Sequence, residues 1–420
     1  MPIAPSSPIY RPIGDGMVLR TAASPADIER VAEINGVIHH PGVASLTRAL
    51  AHHFPGLEMR DLIFVEDERT GAAVSTLMLI PWTLYYEGIP LPAGEMAIVG
   101  TLEPYRRRGL VRAQVDYFMF RLHERGCLIS HIQGIPYYYQ QFGYAYAIPL
   151  ERGLRLSGRE LPPAPAQAFT LRRATEGDIP LLSGLYRWAA KDLGIHAGRS
   201  LEEWRYQFHY AKGTQTGGET WLIQGEGAAS GYFRLPDHHF GDELAVSEVS
   251  RLSYDQALGV LHWLVALATE RKLPGVRLNL PADTTIMRAA RSFGAHDLGT
   301  YAWQIRLPDV PALLRAIGPA LERRIAASPF AGLTRQLQLG FYRDSVTLDF
   351  TAGKLASVTA SGPCDGGVNF LPQAFVQLVL GYKTLDELHS MYPDVGVAPA
   401  ARLLLSTLFP PTSSFLYSPY

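Results

Sequence analysis

The sequence contains a version of itself, and that repeat limits what the chain can fold into more than any other feature. Residues 19–28 (LRTAASPADI) return as residues 171–179 (LRRATEGDI), one residue shorter. Phe142-Gly143 recurs at Phe293-Gly294, 151 residues later, and Leu154-Arg155-Leu156 is echoed by Ile305-Arg306-Leu307 at the same offset. With the first match counted at its start (offset 152) and its end (offset 151), four anchors at nearly one spacing predict two copies of one domain. The expected organisation is a first copy over residues 1–158, a second over 159–310 and a distinct unit over 311–420. A proline-rich linker at 158–168 (GRELPPAPAQA) separates the copies, because proline fixes dihedrals and removes donors.

Composition fits an ordered globular chain: 47% hydrophobic and 18% charged residues in 420. A net charge of −1 gives no global attraction to nucleic acid or anionic membranes. Two distant cysteines, Cys127 and Cys364, make neither a disulfide framework nor a zinc site. No run reaches the roughly 18 apolar residues of a membrane span. Residues 1–16 carry four prolines and no signal-peptide pattern, so they read as a mature tail. The expectation is a soluble, cytoplasmic protein.

The predicted class is α/β, of the α+β kind with mixed sheets. In the first copy, residues 62–66, 74–80, 83–86 and 96–101 read as strands, and 127–133 as another. Val111, Val115, Phe118 and Leu122 stripe one face of a helix that Gly126 stops. In the last unit, residues 345–350 alternate as a strand, and Gly353 turns a hairpin. Helices are expected from Pro372 to near Gly381, from the capping box at Thr384, and from Pro399.

The chemistry gathers where a strand feeds the first copy's long helix. Arg106-Arg107-Arg108-Gly109-Leu110-Val111-Arg112 occupies that turn. Arginines are disfavoured by the dipole at a helix N-terminus, so three in succession point to a bound anion. Farther on, Tyr137-Tyr138-Tyr139-Gln140-Gln141-Phe142-Gly143-Tyr144 reads as a short helix capped by Gly143. Three successive tyrosines cannot share one core face, so at least one phenol is expected in a cleft.

Strand, R-x-x-G-L turn, long helix, strand and Y-x-x-F-G-Y, in that order, resemble the acyl-CoA-binding half of the GNAT acetyltransferases. Val111 departs from that motif, which carries glycine or alanine there. Two tandem GNAT-like domains, the R-R-R-G-L turn and a sterol-carrier-like C-terminal domain together resemble the Eis family of N-acetyltransferases, over nearly the whole chain. The resemblance implies acetyl-CoA as co-substrate, with no metal. Backbone groups of Val99, Gly100 and Thr101 would bond the pantetheine arm. Arg106, Arg107, Arg108, Gly109, Leu110, Val111 and Arg112 would hold the pyrophosphate. Tyr139 takes the general-acid position, and the terminal carboxylate, here at Tyr420, that of the general base. A homo-hexamer is implied as well.

The acceptor would be a small-molecule amine or a lysine. No acid follows Asp394, which disfavours a polycationic aminoglycoside. The second copy serves as an internal control. The offset carries Tyr139 onto Ala290 and the arginine turn onto Ala257-Leu258-Gly259-Val260, with Arg251 the nearest cation. One active site per chain is expected. Two other readings remain, a carrier that binds acyl-CoA or lipid without chemistry, and a tandem-GNAT peptidyl transferase. The pairs His39-His40, His52-His53 and His238-His239 suggest no metal, since neighbours on a strand point apart. Asp365-Gly366-Gly367 reads as a turn.

Overall fold

The computed structural model describes residues 8–159, 161–163, 169–225, 229–239, 241–364 and 367–420. The chain is a mixed α/β protein on three sheets. The stretch expected to be a tail supplies a strand: β1 (Tyr10–Gly14) pairs antiparallel with β2 (Met17–Thr21). Pro12 is tolerated because β1 is an edge strand. α1 (Pro25–Ile38) and α2 (Pro41–His53) follow, and Ser24 caps α1 by accepting from the Asp27 N–H.

β3 (Leu62–Asp67), β4 (Ala72–Tyr86) and β5 (Ile89–Thr101) run antiparallel to one another. The two runs expected at 74–80 and 83–86 are one strand. Pro81 does not break it, because β4 changes partners there. Pairing with β3 reaches Met78, and pairing with a later strand, Ile195–Ala197, begins at Leu84. Alternate residues of β4 serve opposite faces. Leu77 and Leu79 pack with α3 (Leu110–Glu124), whereas Met78 and Ile80 pack with α1 and α2. A strand covered on both faces reads as the continuous apolar run seen here.

β6 (Ile129–Ile132) and β7 (Ala145–Leu156) end the first half. Next come β8 (Thr170–Arg173), α4 (Ile179–Ala190), β9 (Ile195–Ala197) and α5 (Leu201–His209). β10 (Gly218–Gln224), β11 (Ala229–Pro236), β12 (Leu244–Val246) and β13 (Glu248–Val249) lead to α6 (Tyr254–Glu270). β14 (Val276–Asn279), α7 (Thr285–Ser292) and β15 (His296–Arg306) close this half. Of the proline-rich stretch, residues 160 and 164–168 lie outside the described residues.

The largest sheet runs β1-β2-β3-β4-β5-β6-β15-β7-β14-β12. Its order crosses the two halves. β6 pairs with β15 through Ile132↔Gln304, and β14 pairs with β7 through Val276↔Leu156. β7 and β15 lie side by side between them. Each half therefore closes its sheet with the other half's last strand. A four-stranded sheet, β13-β11-β10-β8, stands apart.

The rest of the chain begins with α8 (Val310–Ala316) and α9 (Gly318–Ala326), then β16 (Arg335–Gly340), β17 (Ser345–Thr351) and β18 (Lys354–Ser361). β19 (Val368–Asn369), α10 (Pro372–Val379), α11 (Leu385–Met391), β20 (Gly396–Val397) and α12 (Pro399–Leu408) complete it. The hairpin, the Pro372 helix and the Thr384 capping box form where the sequence places them. Asp365 and Gly366 of the expected turn lie outside the described residues. This unit seats on the first half: the Tyr86 hydroxyl donates to the Val379 carbonyl at 2.8 Å, and the Gln377 amide donates to the Tyr146 carbonyl at 2.9 Å. Among the described residues, no helix is long and apolar enough to cross a membrane.

Candidate active site

The site begins where β5 and β6 part. They pair in parallel only from Ala93↔Ile129 to Glu95↔His131, yet β5 continues to Thr101. On its other edge β5 carries a bulge, where Ile98 and Val99 together stand opposite Leu77. Ile98 has φ 49°, the left-handed backbone that a bulge can impose. Val99, Gly100 and Thr101 thus line an edge that β6 no longer covers. At Gly100 an added Cβ would lie 2.7 Å from Ile38 Cγ2, so the end of α1 closes down on this strand.

Beyond Thr101 a single turn at Glu103–Tyr105 leads into the arginines. The Tyr105 hydroxyl anchors that turn by donating to Asp67 at 3.0 Å. Arg107 has φ 64° and Gly109 φ 75°, so two left-handed residues flank Arg108 ahead of α3. Gly109 is the N-cap of α3 and offers no side-chain cap, which leaves the first-turn N–H groups open. Below them, the Ser75 hydroxyl donates to Gln114 Oε1 at 2.7 Å and Gln114 donates to the Ile63 carbonyl at 3.2 Å, so a buried network fixes this end of the helix. Arg106, Arg107, Arg108 and Arg112 are exposed and form no ion pair among the described residues. Arg112 reaches across to donate to Gln141 Oε1 at 3.2 Å and lies 5.4 Å over the Phe142 ring. Backbone donors and unpaired guanidinium groups on one turn suit a polyanion.

Tyr138–Phe142 form a 3₁₀ turn closed by Gly143. The three tyrosines diverge as the sequence demands, with Tyr137 exposed, Tyr138 half-buried and Tyr139 buried. The Tyr139 ring lies flush on the chain at Gly134, where an added Cβ would come within 2.2 Å of Tyr139 Cδ2. Its hydroxyl makes no hydrogen bond to the described residues. Burial raises its pKa, so it stays a proton-bearing phenol.

Tyr420 arrives from the other side. Residues before it run along β9: Gly194 donates to the Ser413 carbonyl at 2.7 Å and Phe415 donates to the Ile195 carbonyl at 3.0 Å. The Tyr420 ring meets Phe54 edge-on at 5.8 Å and Trp82 at 6.0 Å. Tyr139 packs with the α3 cluster and Tyr420 with the α1–α2 cluster, so they approach the sheet from opposite faces. The opening between β5 and β6 lies in that sheet.

Sequence reasoning missed Glu95 and His131, which face each other at the root of the opening. Glu95 is 3% exposed and accepts from the Tyr420 hydroxyl at 2.7 Å. Burial pushes its carboxyl up to about 8. His131 is wholly buried against Trp82 and Trp303, and burial pushes it down to about 3, so it is a neutral imidazole. A lone acid in the apolar run of β5 was the available signal. Two of the three His pairs stand at helix ends and not on strands: His39 and His40 cap α1 and α2, and His52 and His53 lie in the last turn of α2, while His238 and His239 follow β11 outside any strand.

Glu95 gives a stability prediction whose sign is fixed. The folded chain holds its proton up to about pH 8, whereas an unfolded chain releases it near 4.5. Stability is therefore full below that lower value, falls as pH rises through the interval and levels off above about 8. Glu95→Gln removes the titration while keeping the shape. It is expected to melt about 5 °C above wild type at pH 9 and within about a degree of it at pH 5. Parallel melting curves at both pH values would remove this account.

Residues 33–147 match the family described as acetyltransferase (GNAT) domain. No curated protein sequence matches the chain. Among solved structures, a GCN5-related N-acetyltransferase from Anabaena variabilis superposes with a TM-score of 0.71 at 16% identity, covering 96% of this chain and 99% of that one. Eis1 from Mycobacterium abscessus gives 0.66 at 17% identity, covering 96% and 100%. N-myristoyltransferase from Saccharomyces cerevisiae, solved with bound myristoylCoA, gives 0.52 at 12%, covering 73% and 87%. These likenesses show a shared fold, and the domain match lies on the elements that build the opening. Residues 33–147 carry a GNAT acetyltransferase domain, and the chain is an acyltransferase.

Proposed function

We propose that the chain transfers an acetyl group from acetyl-CoA to a primary amine, on a small molecule or a lysine, within a ternary complex. The uncapped, glycine-led N-terminus of α3 with its unpaired arginines, beside the uncovered edge of β5, carries this reading. The pyrophosphate rests on the turn from Arg106 to Arg112. The pantetheine arm lies along Val99, Gly100 and Thr101 as an added strand would. The amine nitrogen attacks the thioester carbon and the C–S bond breaks. Tyr139 gives its proton to the departing thiolate, and the main-chain carboxylate of Tyr420 accepts the proton lost by the ammonium. Holding both reactants in one opening supplies much of the rate.

The second half supports a single working site. Its long helix, α6, starts at a capping box in which Ser253 accepts from the Gln256 N–H at 3.2 Å and the Gln256 side chain accepts from the Ser253 N–H at 2.9 Å. Those donors are occupied from within. Aligned on the two helix starts, Gly109 corresponds to Ser253 and Arg107 to Arg251, a different register from the one the sequence repeat suggests. Arg251 lies against Asp192 and stacks 5.0 Å over Trp188, so it is engaged already. The unit over residues 311–420 acts in this reading as a scaffold that carries Tyr420 to the first half, and no lipid need enter it.

Thiol release from acetyl-CoA, measured against polyamines, aminoglycosides and lysine peptides, tests the proposal. Release driven by at least one amine is expected. Binding of acetyl-CoA with no release across the panel would turn the reading toward a carrier. The arginine turn gives a sharper outcome: replacing Arg106 and Arg112 together by Ala is expected to raise the KM for acetyl-CoA about tenfold or more, with kcat changed less than about twofold. An unchanged KM would move the pyrophosphate elsewhere.

A further inference from the structure

We propose that Glu95 is a positioning residue, whose carboxyl locks the Tyr420 phenol and so sets where the main-chain carboxylate of Tyr420 stands. Glu95 is the last residue of β5 paired with β6, so its backbone is fixed at the root of the opening. Its carboxyl is buried and accepts from the Tyr420 hydroxyl at 2.7 Å. The edge-on contacts of the Tyr420 ring with Phe54 and Trp82 need only an aromatic ring. What the hydroxyl adds over such a ring is the bond to Glu95.

A second anchor lies two residues back. The Ser418 carbonyl accepts from Arg199 Nη2 at 2.6 Å and from Gln207 Nε2 at 3.1 Å. Arg199 is itself pinned by Glu248 through two bonds of 2.9 and 2.7 Å, with its side chain wholly buried. Pro419 between the anchors has a fixed φ. The Ser418 hydroxyl donates to the Tyr420 main-chain oxygen at 2.9 Å, which turns that group in a defined direction. Arg199 belongs to the second half and Glu95 to the first. Residues 418–420 are therefore held from both halves, with Tyr420 half-buried and one of its main-chain oxygens hydrogen-bonded. An unanchored tail would have to be ordered anew in each turnover, at an entropic cost for every residue.

The catalytic consequence rests on the proposed role of the Tyr420 carboxylate as base, whereas the lock does not. Hydrogen exchange of the 411–420 segment in the full-length chain reads the lock without any substrate. Tyr420→Phe and Glu95→Ala are each expected to speed exchange there about tenfold. Glu95→Gln, whose amide oxygen still accepts, is expected to stay within about twofold of wild type. The double variant Glu95→Ala/Tyr420→Phe is expected to exchange no faster than the worse single variant, because both remove one bond. Losses that multiply in the double variant, or a Tyr420→Phe tail as protected as wild type, would overturn the lock. Tyr420→Phe keeps ring and backbone, so a failure of Glu95→Ala to fold leaves the test intact.

Turnover separates this inference from the reading beneath it. With acetyl-CoA and the fastest amine of the panel, Tyr420→Phe is expected to lower kcat about tenfold, leaving the KM for acetyl-CoA within about twofold. Full turnover after deletion of Tyr420 would remove the base itself. A large loss on deletion, beside a Tyr420→Phe variant with wild-type kcat and exchange, would overturn the lock alone.

Discussion

Turnover is expected to fall by three orders of magnitude or more, roughly, when two glycines are appended after Tyr420. The addition converts the carboxylate into an amide, which cannot accept a proton at neutral pH. It also forces extra chain into a place where Phe54, Trp82 and Glu95 already surround the residue. An ordinary α-carboxyl has a pKa of about 3.5, so it serves as a base only where its surroundings favour the proton. Phe54 and Trp82 meet the Tyr420 ring edge-on. Circular dichroism and a melting curve within a few degrees of wild type are the necessary companions. Full activity in the extended chain would assign the base to another group, and Tyr420 would then be packing alone.

Tyr139→Phe is expected to reduce kcat about 100-fold or more, with the KM for acetyl-CoA within about twofold. The ring stays in place because Gly134 gives it a flat seat, and the lost atom makes no bond within the described residues. The loss therefore reports proton donation and not collapse. Gly134→Ala serves as a steric counterpart. Its Cβ would sit 2.2 Å from the ring and expel Tyr139, so turnover and stability should fall together. Where Tyr139→Phe proves as fast as wild type, the thiolate leaves without help, or takes its proton from water.

Much of this was legible because local rules and tertiary context agree. The stripe of Val111, Val115, Phe118 and Leu122 makes α3, and the Thr384 box starts α11. The arginine turn lies at a helix N-terminus as its sequence implies. Three features were hidden for identifiable reasons. Pro81 reads as a strand break, and only the change of partner beside β4 makes it harmless. The prolines of the first residues read as a tail, although an edge strand accepts them. Glu95 stood in plain view, but its partner lies 325 residues away, and no pattern along a chain shows such a contact. Alignment of the two halves by residue offset also missed by several positions at α6, because insertions accumulate in loops while the ends of the repeat stay in step.

The crossing of β7 and β15 sets a timetable for synthesis. β6 waits for a neighbour that is made only when the ribosome reaches residues 296–306. Until then the first half holds an open edge and β7 lacks both partners it has in the finished sheet. Unpaired strands of this sort invite association with other chains, so the nascent protein depends on whatever shields it during that interval. For the same reason, cutting the gene at the linker yields two fragments that each lack a closing strand. Activity from such fragments is expected only when they are produced together.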